Sequence, residues 1–152
     1  MAKITAVCIS KKKGMLKEVI PEGIFIQDFG LRDDAHASND THRQVSLLAT
    51  ESIDKMRNRG FNVSPGDFAE NLTTEGIELF TLPVGTKMTV GTEVILEISQ
   101  IGKECHTKCA IFHKMGECIM PLEGVFARVI RGGTIKAEDN LALEQPVYIC
   151  LL

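Results

Sequence analysis

The sequence predicts a single, mainly β domain over residues 1–152, with a β-barrel-like core, one principal helix and short peripheral helices. Short runs rich in Val, Ile, Thr and Phe recur along the chain between Gly, Pro or polar turns, and only one segment has a strong helical period. The 152 residues are enough to bury a core without disulfides or metal ions. The strand-like runs are TAVCIS, GIFIQDF, TKMTVGTEVILEIS, GVFARVI and PVYICLL.

The principal helix is predicted around Val45–Arg59. It follows Asn39, Asp40 and Thr41, which are good helix-capping residues. Gly60 ends it directly after a cationic stretch, which suits a helix C-terminus. The apolar positions that recur at helical spacing are Val45, Leu48, Ala49, Ile53 and Met56.

The charge and composition argue against several classes of protein. A net charge of −3 and a pI near 5.8 argue against a nucleic-acid partner or a polybasic membrane surface. The N-terminal residues lack the pattern of a signal peptide, and no apolar run has the length of a membrane span. We therefore expect a cytoplasmic protein with reduced cysteines. Their odd number, five, fits free thiols better than a disulfide framework.

The segment GKECHTKCAIFHKMGEC, residues 102–118, concentrates the thiol and imidazole groups of the chain. It contains three of the five cysteines and two of the four histidines. Such side chains bind soft metals, act as nucleophiles or carry persulfide sulfur. Cys109, His113 and Cys118 are alternative ligands for zinc or another soft metal, and the two cysteines could equally pack as small apolar residues.

Cys105 differs from the other cysteines in its polar surroundings. It follows a polar, glycine-containing stretch and is flanked by Lys103, His106 and Lys108. Positive charge beside a thiol favours the thiolate at neutral pH. We therefore predict that Cys105 is the most reactive thiol of the folded chain and the working residue of the segment.

Two shorter motifs suggest anion binding. SKKKG, Ser10–Gly14, follows a predicted strand and is either a solvated loop or the edge of a phosphate site. Arg43, near the start of the predicted helix, either joins free N–H groups in holding a phosphate or forms a surface ion pair. Asp33, Asp34 and His36 are metal-ligand types without a specific spacing, so we expect no metal there.

Taken in order, several segments resemble the MOSC domain, the module found at the C-terminus of molybdenum cofactor sulfurases and as free-standing bacterial proteins. The chain is most similar to the compact, stand-alone bacterial type, and the resemblance covers about residues 4–140 as a single MOSC domain. The matching segments are ISKKKG, GLRDDAHA, THRQVSLLATE, GDFAENLTTEG, LPVGTKMTVG, ISQIGKEC and GVFARVIRGG.

The resemblance implies a pocket that binds the pyranopterin–molybdenum cofactor (molybdopterin) or relays sulfur to it. Cys105 matches the family's functional cysteine, which is implied to carry sulfur as a persulfide or to ligate molybdenum. Ser10 and Lys11 lie where the family contacts the pterin phosphate. Arg43 and Asn71 match family residues of the cofactor pocket.

The resemblance also shapes the expected activity and partners. Lys103, beside the matched cysteine, is a further predicted cofactor contact. Ala69 stands where the amidoxime-reducing relatives have an arginine, so cofactor handling is favoured over reductase activity, and enzymatic activity stays open. The implied partners are the cofactor and its biosynthetic or desulfurase proteins, with pyridoxal phosphate only through a partner. The alternative is a sensor or interaction module that binds metal through the Cys/His cluster without catalysis.

Overall fold

The structure, a computed structural model, describes residues 2–13, 15–102 and 119–144, and it is mainly β in these ranges, as predicted. Within these ranges two α-helices, α1 (Thr50–Asn58) and α2 (Met120–Glu123), and a 3-10 helix, Leu79–Thr81, accompany the strands. None of these helices is long and apolar enough to cross a membrane. The predicted strand PVYICLL lies outside the described residues. The strands are β1 (Lys3–Ile9), β2 (Glu18–Ile20), β3 (Glu22–Ile26), β4 (Gly30–Leu31), β5 (Val45–Ala49), β6 (Leu72–Glu75), β7 (Lys87–Val90), β8 (Val94–Ile101), β9 (Val125–Arg131), β10 (Gly133–Lys136) and β11 (Leu141–Leu143).

The strands form a large and a small sheet. The large sheet has eight strands in the order β11-β7-β8-β9-β5-β6-β1-β2, and the small sheet has three in the order β10-β3-β4. In the large sheet β5 runs parallel to β6, and the other neighbouring strands are antiparallel. The parallel pair is possible because α1 and the segment after it return the chain to the start of β6.

The large sheet curls toward closure but does not close within the described residues. Its order ends at β11 and β2. Backbone hydrogen bonds nevertheless join the residues around the start of β1 to those around the start of β11. Ile4 N donates to Asp139 O at 2.8 Å, and Leu141 N donates to Ala2 O at 3.0 Å. The barrel-like core that we predicted is therefore an open, strongly curved sheet.

The prediction of a helix around Val45–Arg59 was wrong in its first part, because Val45–Ala49 form strand β5. All five residues are buried, with β9 paired on one side and β6 on the other. A central strand buried on both faces is a short continuous apolar run, which has no period that separates it from a helix. Asn39–Thr41 therefore do not cap a helix, and α1 begins only at Thr50. The predicted helix end is confirmed, since α1 ends at Asn58, two residues before Gly60.

The buried apolar side chains form two clusters, one on each face of β5. The larger cluster takes Leu47 and fills the space between the two sheets. The second cluster, which we call the helix-side core, takes the next residue, Leu48, because successive strand residues point to opposite faces. Its other buried members are Ile53, Met56, Val63, Phe68, Ile119, Met120 and Phe126.

The segment between α1 and β6 is held against the chain before β2. Gly66 has a φ of +90°, and its carbonyl oxygen accepts the N–H of Lys17 at 2.8 Å. A Cβ atom on Gly66 would lie 2.2 Å from Lys17 O. Both the left-handed backbone and the close approach therefore require glycine at this position.

A comparison of Gly66→Ala with Gly60→Ala separates the cost of the left-handed backbone from the cost of the close approach. Gly60 also has a left-handed φ, +97°, but a Cβ atom there would meet nothing within 4 Å. We expect Gly60→Ala to lower the free energy of unfolding by about 1 kcal/mol through backbone strain. Gly66→Ala should lower it by about 1–3 kcal/mol more, because the backbone must also move apart. Urea denaturation measures both, and equal losses would contradict the close-approach argument.

Candidate functional site

A cavity of about 130 Å³ lies at the edge of the helix-side core, and we call it the Arg43 cavity. Apolar side chains of that core form part of its wall, and polar side chains from other segments form the rest. These residues come from stretches of the chain that are far apart in the sequence. They are His36, Arg43, Ser46, Phe68, Ala69, Met120 and Phe126.

Arg43 is exposed and lies directly before β5, where its guanidinium group is held from two sides. Its Cζ atom stands 5.5 Å from the centroid of the Phe126 ring. Its Nε donates to Oε1 of Gln100 at 3.0 Å. Within the part of the chain that the structure describes, the two terminal guanidinium nitrogens donate no hydrogen bond. Arg43 is therefore oriented so that it can bind a carboxylate or phosphate through two parallel N–H bonds.

Gln100, near the end of β8, is hydrogen-bonded both to this arginine and to Gly102, the first residue of the cysteine-rich segment. Oε1 of Gln100 also accepts from Nε2 of His42 at 2.7 Å. Nε2 of Gln100 donates to Gly102 O at 2.8 Å. The neighbouring Ser99 donates its hydroxyl to the carbonyl oxygen of His42. One end of a strand thus positions residues 42 and 43.

Behind the cavity wall, Asn71 is fully buried and holds Ser46. Asn71 Oδ1 accepts the backbone N–H of Ser46 at 3.1 Å, and Asn71 Nδ2 donates to Cys8 O at 3.2 Å. Ala69, two residues earlier, has a left-handed φ of +63°, a backbone strain of the kind that collects at functional sites. The role of Asn71 as a cofactor contact stays a prediction, and what the structure shows is that it positions a residue of the cavity wall.

A fully buried ion pair lies beside the cavity. Lys17 Nζ is 2.7 Å from Asp34 Oδ1, and both side chains are 0% exposed. The same ammonium group is 3.1 Å from Ser10 Oγ and 3.2 Å from Nδ1 of His36. Three acceptors use the three N–H bonds of an ammonium group, so Nδ1 of His36 accepts and its ring proton is on Nε2.

The Asp34 carboxylate joins the end of β1 to the loop that contains His36. It accepts the backbone N–H of Ser10 at 3.0 Å and that of His36 at 3.1 Å. Burial by itself would raise the pKa of Asp34, but the hydrogen bond and charge of Lys17, with the N–H of Ser10, hold that pKa below its usual range. Asp34 is therefore ionised at neutral pH and pairs with an ammonium group.

The predicted phosphate contacts Ser10 and Lys11 line a different and wider cavity, of about 510 Å³, which we call the Lys11 cavity. The Lys11 side chain is exposed, whereas Ser10 is buried and donates its hydroxyl to Lys12 O at 3.2 Å. The buried chain of contacts from Ser10 through Lys17 to His36 joins the walls of the two cavities. The structure thus links the two predicted anion-binding regions without merging them.

Two more titratable groups are buried behind these walls. Burial raises the pKa of Glu70 to about 7, although its carboxylate accepts the hydroxyl of Thr73 at 2.8 Å and the N–H of Phe68 at 3.3 Å. Burial, with Glu70 nearby, raises the pKa of the Cys8 thiol to about 12. Cys8 is fully buried in β1, which confirms its interpretation as a core residue, and it is protonated at neutral pH.

The remaining predicted site residues lie outside the described residues, and their roles stay predictions. Within residues 2–13, 15–102 and 119–144, no group of three or more His, Cys, Asp or Glu side chains is arranged to hold a metal ion. Asp34, a metal ligand by type, has Lys17 as its partner. The predicted residues that fall outside the described ranges are Lys103, Cys105, Cys109, His113 and Cys118.

Three residues that shape the site were not identified from the sequence. Lys17 stands alone among mixed residues, and its buried partner is 17 positions further along the chain. Gln100 has no local signal, since its partners depend on where β8 ends. Phe126 did have a local signal in the sequence, because the alternation in GVFARVI places it on the opposite face from Val125 and Ala127.

Comparison with known proteins gives one family and several similar structures. The family model described as the MOSC domain matches residues 32–142. The crystal structure of YuaD from Bacillus subtilis is similar with a TM-score of 0.78, at 14% identity over 94% of this chain and 96% of that chain. YiiM from Geobacillus stearothermophilus is similar with a TM-score of 0.73, at 19% identity over 95% of this chain and 76% of that one. YiiM from Escherichia coli is similar with a TM-score of 0.67, at 19% identity over 97% of this chain and 71% of that one. No curated protein matches this chain.

The buried ion pair predicts a specific loss of stability. Asp34→Asn leaves the Lys17 ammonium buried without its counter-charge, so the free energy of unfolding at pH 7 should fall by about 3–5 kcal/mol. Asp33→Asn, at the exposed neighbour, should change it by less than about 0.5 kcal/mol. Urea denaturation at neutral pH measures both changes.

The same pair of variants tests the pH dependence. Because folding lowers the pKa of Asp34 from 3.8, its ionised form stabilises the fold above that pH and loses this effect as the pH falls through the lowered value. The difference in unfolding free energy between the parent protein and Asp34→Asn should therefore be constant near neutral pH and shrink below about pH 4. A difference that grows on acidification would show that the pair does not stabilise the fold in this way.

Proposed function

Because this chain belongs to the MOSC domain family, we propose that it binds the pyranopterin–molybdenum cofactor, or relays sulfur to it, with the Arg43 cavity as the binding site and Cys105 as the working thiol. MOSC domains are associated with binding or sulfuration of the molybdenum cofactor. The observation that carries the proposal is the placement of Arg43, which lines a cavity with an aromatic wall and whose terminal nitrogens donate no hydrogen bond within the described residues.

The cavity lining suits a molecule with a flat ring and an anionic end. Phe68, Met120 and Phe126 offer an apolar wall, which favours a ring over a fully hydrated anion. His36 and Ser46 add polar side chains to the same lining. Arg43 supplies the positive charge, and the residues present therefore fit a pterin with an acidic substituent.

The phosphate end of the cofactor is assigned in this proposal to Arg43 together with Ser10 and Lys11. These last two belong to the Lys11 cavity, whose wall is joined to the Arg43 cavity through Lys17. Cationic side chains are the groups that bind phosphate most strongly, and Arg43 and Lys11 supply two of them. Asn71 and Lys103 complete the proposed set of cofactor contacts.

Cys105 is proposed as the thiol that carries sulfur or ligates molybdenum. In the sulfur relay, its thiolate attacks the outer sulfur of a donor persulfide, the donor's S–S bond breaks, and the donor leaves as a thiolate. The donor is proposed to be a desulfurase partner, through which pyridoxal phosphate would enter. The position of Cys105 supports this role, since it follows by three residues Gly102, whose carbonyl is bonded to the Gln100 that holds Arg43.

Arg43 should control the affinity for an anionic pterin. Pterin-6-carboxylate is a fluorescent pterin with one anionic group, and we expect Arg43→Ala to weaken its binding about 10- to 100-fold, because a charge-assisted hydrogen bond contributes about 1.5–3 kcal/mol. Arg32→Ala, which removes an exposed arginine outside the cavity lining, should leave the affinity unchanged. Fluorescence titration gives the dissociation constants.

Two further measurements decide between this proposal and the metal-binding alternative. Unsubstituted pterin, which lacks the carboxylate, should bind equally weakly to the parent protein and to Arg43→Ala. The freshly purified protein should release a fluorescent pterin on denaturation. Stoichiometric zinc that is lost when Cys109 or His113 is replaced, with no pterin released, would instead favour the alternative.

Cys105 should react faster than the other thiols of the folded protein. Its neighbouring cations favour the thiolate, whereas burial raises the pKa of Cys8 to about 12 and leaves that thiol protonated. A limiting amount of iodoacetamide near neutral pH should therefore label Cys105 first, with Cys8 as the unreactive internal reference, as located by peptide mass mapping. Faster labelling of Cys109 or Cys118 would show that the wrong cysteine has been assigned.

A further inference from the structure

Glu70 is fully buried and bonds to the turn that supplies part of the wall of the Arg43 cavity. Its Oε1 accepts the backbone N–H of Phe68 at 3.3 Å, and its Oε2 accepts the hydroxyl of Thr73 at 2.8 Å. The backbone N–H groups of Gly66 and of Glu70 itself also bond to this carboxyl group. Three of its four donors are therefore backbone groups of one turn, residues 66–70.

This turn has a backbone that must be held in place. Ala69 has a φ of +63° although it carries a Cβ atom, and Gly66 has a φ of +90°. The N–H of Ala69 donates to the carbonyl oxygen of Gly66 at 3.0 Å, which closes the turn. Phe68 and Ala69 both line the Arg43 cavity. A strained turn keeps one shape only where its surroundings fix it, and the buried carboxyl group of Glu70 bonds to it from inside the protein.

Two physical effects oppose each other at this carboxyl group. Burial disfavours the ionised form and raises the pKa of Glu70 to about 7, whereas its four hydrogen-bond donors favour the ionised form. Both forms are therefore populated near neutral pH. A hydrogen bond to an ionised carboxylate is roughly twice as strong as one between neutral groups. A proton on Glu70 consequently weakens the bonds that hold the turn.

The surroundings of Glu70 contain few other groups that could produce such a change. The nearby Cys8 thiol is acted on by the charges of Glu70, Lys17 and Asp67, and it is itself protonated at neutral pH. Thr73 lies beside Leu48 on the face of the sheet that carries the helix-side core. That core contributes apolar side chains from α1, α2 and β5. Glu70 is therefore the group of this region whose charge changes near pH 7.

We infer that Glu70 is a positioning residue of the Arg43 cavity, which holds the wall formed by Phe68 and Ala69 more firmly when it is ionised than when it carries a proton. The inference rests on the proposed function for the identity of the ligand, an anionic pterin. Glu70 touches no ligand in this role. A ligand that needs the wall in place binds better to the protein with ionised Glu70, and by linkage it favours that ionised form to the same extent.

Nuclear magnetic resonance of the ligand-free protein tests the bond between Glu70 and the turn. Because the Phe68 N–H donates to the carboxylate, its chemical shifts should follow the titration of Glu70, with a midpoint near pH 7. Glu70→Gln keeps the size of the side chain and cannot titrate, so this transition should vanish. Glu78→Gln, the matched control at an exposed glutamate, should retain it. Phe68 shifts that stay constant between about pH 5.5 and 8.5 would overturn the inference.

Fluorescence titration with pterin-6-carboxylate then measures the effect on the cavity. With a midpoint near pH 7, the ionised fraction of Glu70 falls about tenfold between about pH 8 and pH 6. The affinity of the parent protein relative to that of Glu70→Gln should therefore fall about three- to tenfold over this range. The ligand and the other residues of the cavity are common to both proteins, so the ratio isolates Glu70. Glu78→Gln should follow the parent protein.

Thr73→Val is a second variant, which keeps the carboxyl group and the shape of its neighbour. It removes one donor to the ionised form, so the pKa of Glu70 should rise. The midpoints of the Phe68 transition and of the affinity profile should therefore both move to higher pH. Circular dichroism melts establish that the variants are folded, and Thr73→Val serves as the test if Glu70→Gln does not fold.

The outcomes separate this inference from the proposed function. A Phe68 transition that depends on Glu70, with no binding of pterin-6-carboxylate at any pH, would keep Glu70 as a positioning residue and overturn the proposed cofactor site. Binding of the pterin with the same pH dependence in the parent protein and in Glu70→Gln would keep the cofactor site and overturn the role of Glu70.

Discussion

The arrangement of the site depends on the buried contact between Lys17 and Asp34. Two opposite charges are removed from water, and each must be satisfied inside the protein. Lys17 uses all three of its N–H bonds, and Asp34 accepts backbone N–H groups from Ser10 and His36. This requirement forces the end of β1, the approach to β2 and the loop after β4 into one arrangement. His36 is consequently presented to one cavity and Ser10 to the other.

The second constraint is the position of β5, which has protein on both faces and on both edges. Leu47 faces the core between the sheets, whereas Ser46 and Leu48 face the helix side. Ser46 therefore reaches the Arg43 cavity because it shares a face with a core leucine. Arg43, just before the strand, is exposed where the burial of β5 begins. The chain thus passes from an exposed arginine to a buried strand, which gives the cavity a cationic rim beside an apolar wall.

Two uncharged partners hold the Arg43 guanidinium group beside the apolar wall of the cavity. The guanidinium group lies over the Phe126 ring, which attracts a cation without neutralising it. Gln100 fixes the same group through a neutral amide, which also leaves the charge of Arg43 available to a ligand. An acidic partner at that position would have formed an ion pair and competed with a bound anion. The similar structures of YuaD and YiiM, at 14–19% identity, show that the fold tolerates extensive change in sequence.

The fold class and the family were accessible from the sequence because their signals are local. Alternating and apolar runs mark most of the strands, and the ordered motifs that resemble the MOSC domain agree with the family match over residues 32–142. Arg43 was predicted to be an anion contact or a member of a surface ion pair, and the structure places it at a cavity. Cys8 was recognised as a core residue because it sits inside an apolar strand.

Only the tertiary structure decided the features that depend on partners distant in the sequence. Val45–Ala49 form a strand because β6 and β9 supply hydrogen bonds on both edges, which no local period reveals. Lys17 is buried because a carboxylate 17 residues away meets it. Arg43 and Gln100 meet because β8 ends beside the chain that enters β5. The sequence by itself determined which chemical groups were present and marked most of the elements, whereas pairing and burial, which act between distant residues, decided that Val45–Ala49 is a strand and which of those groups meet.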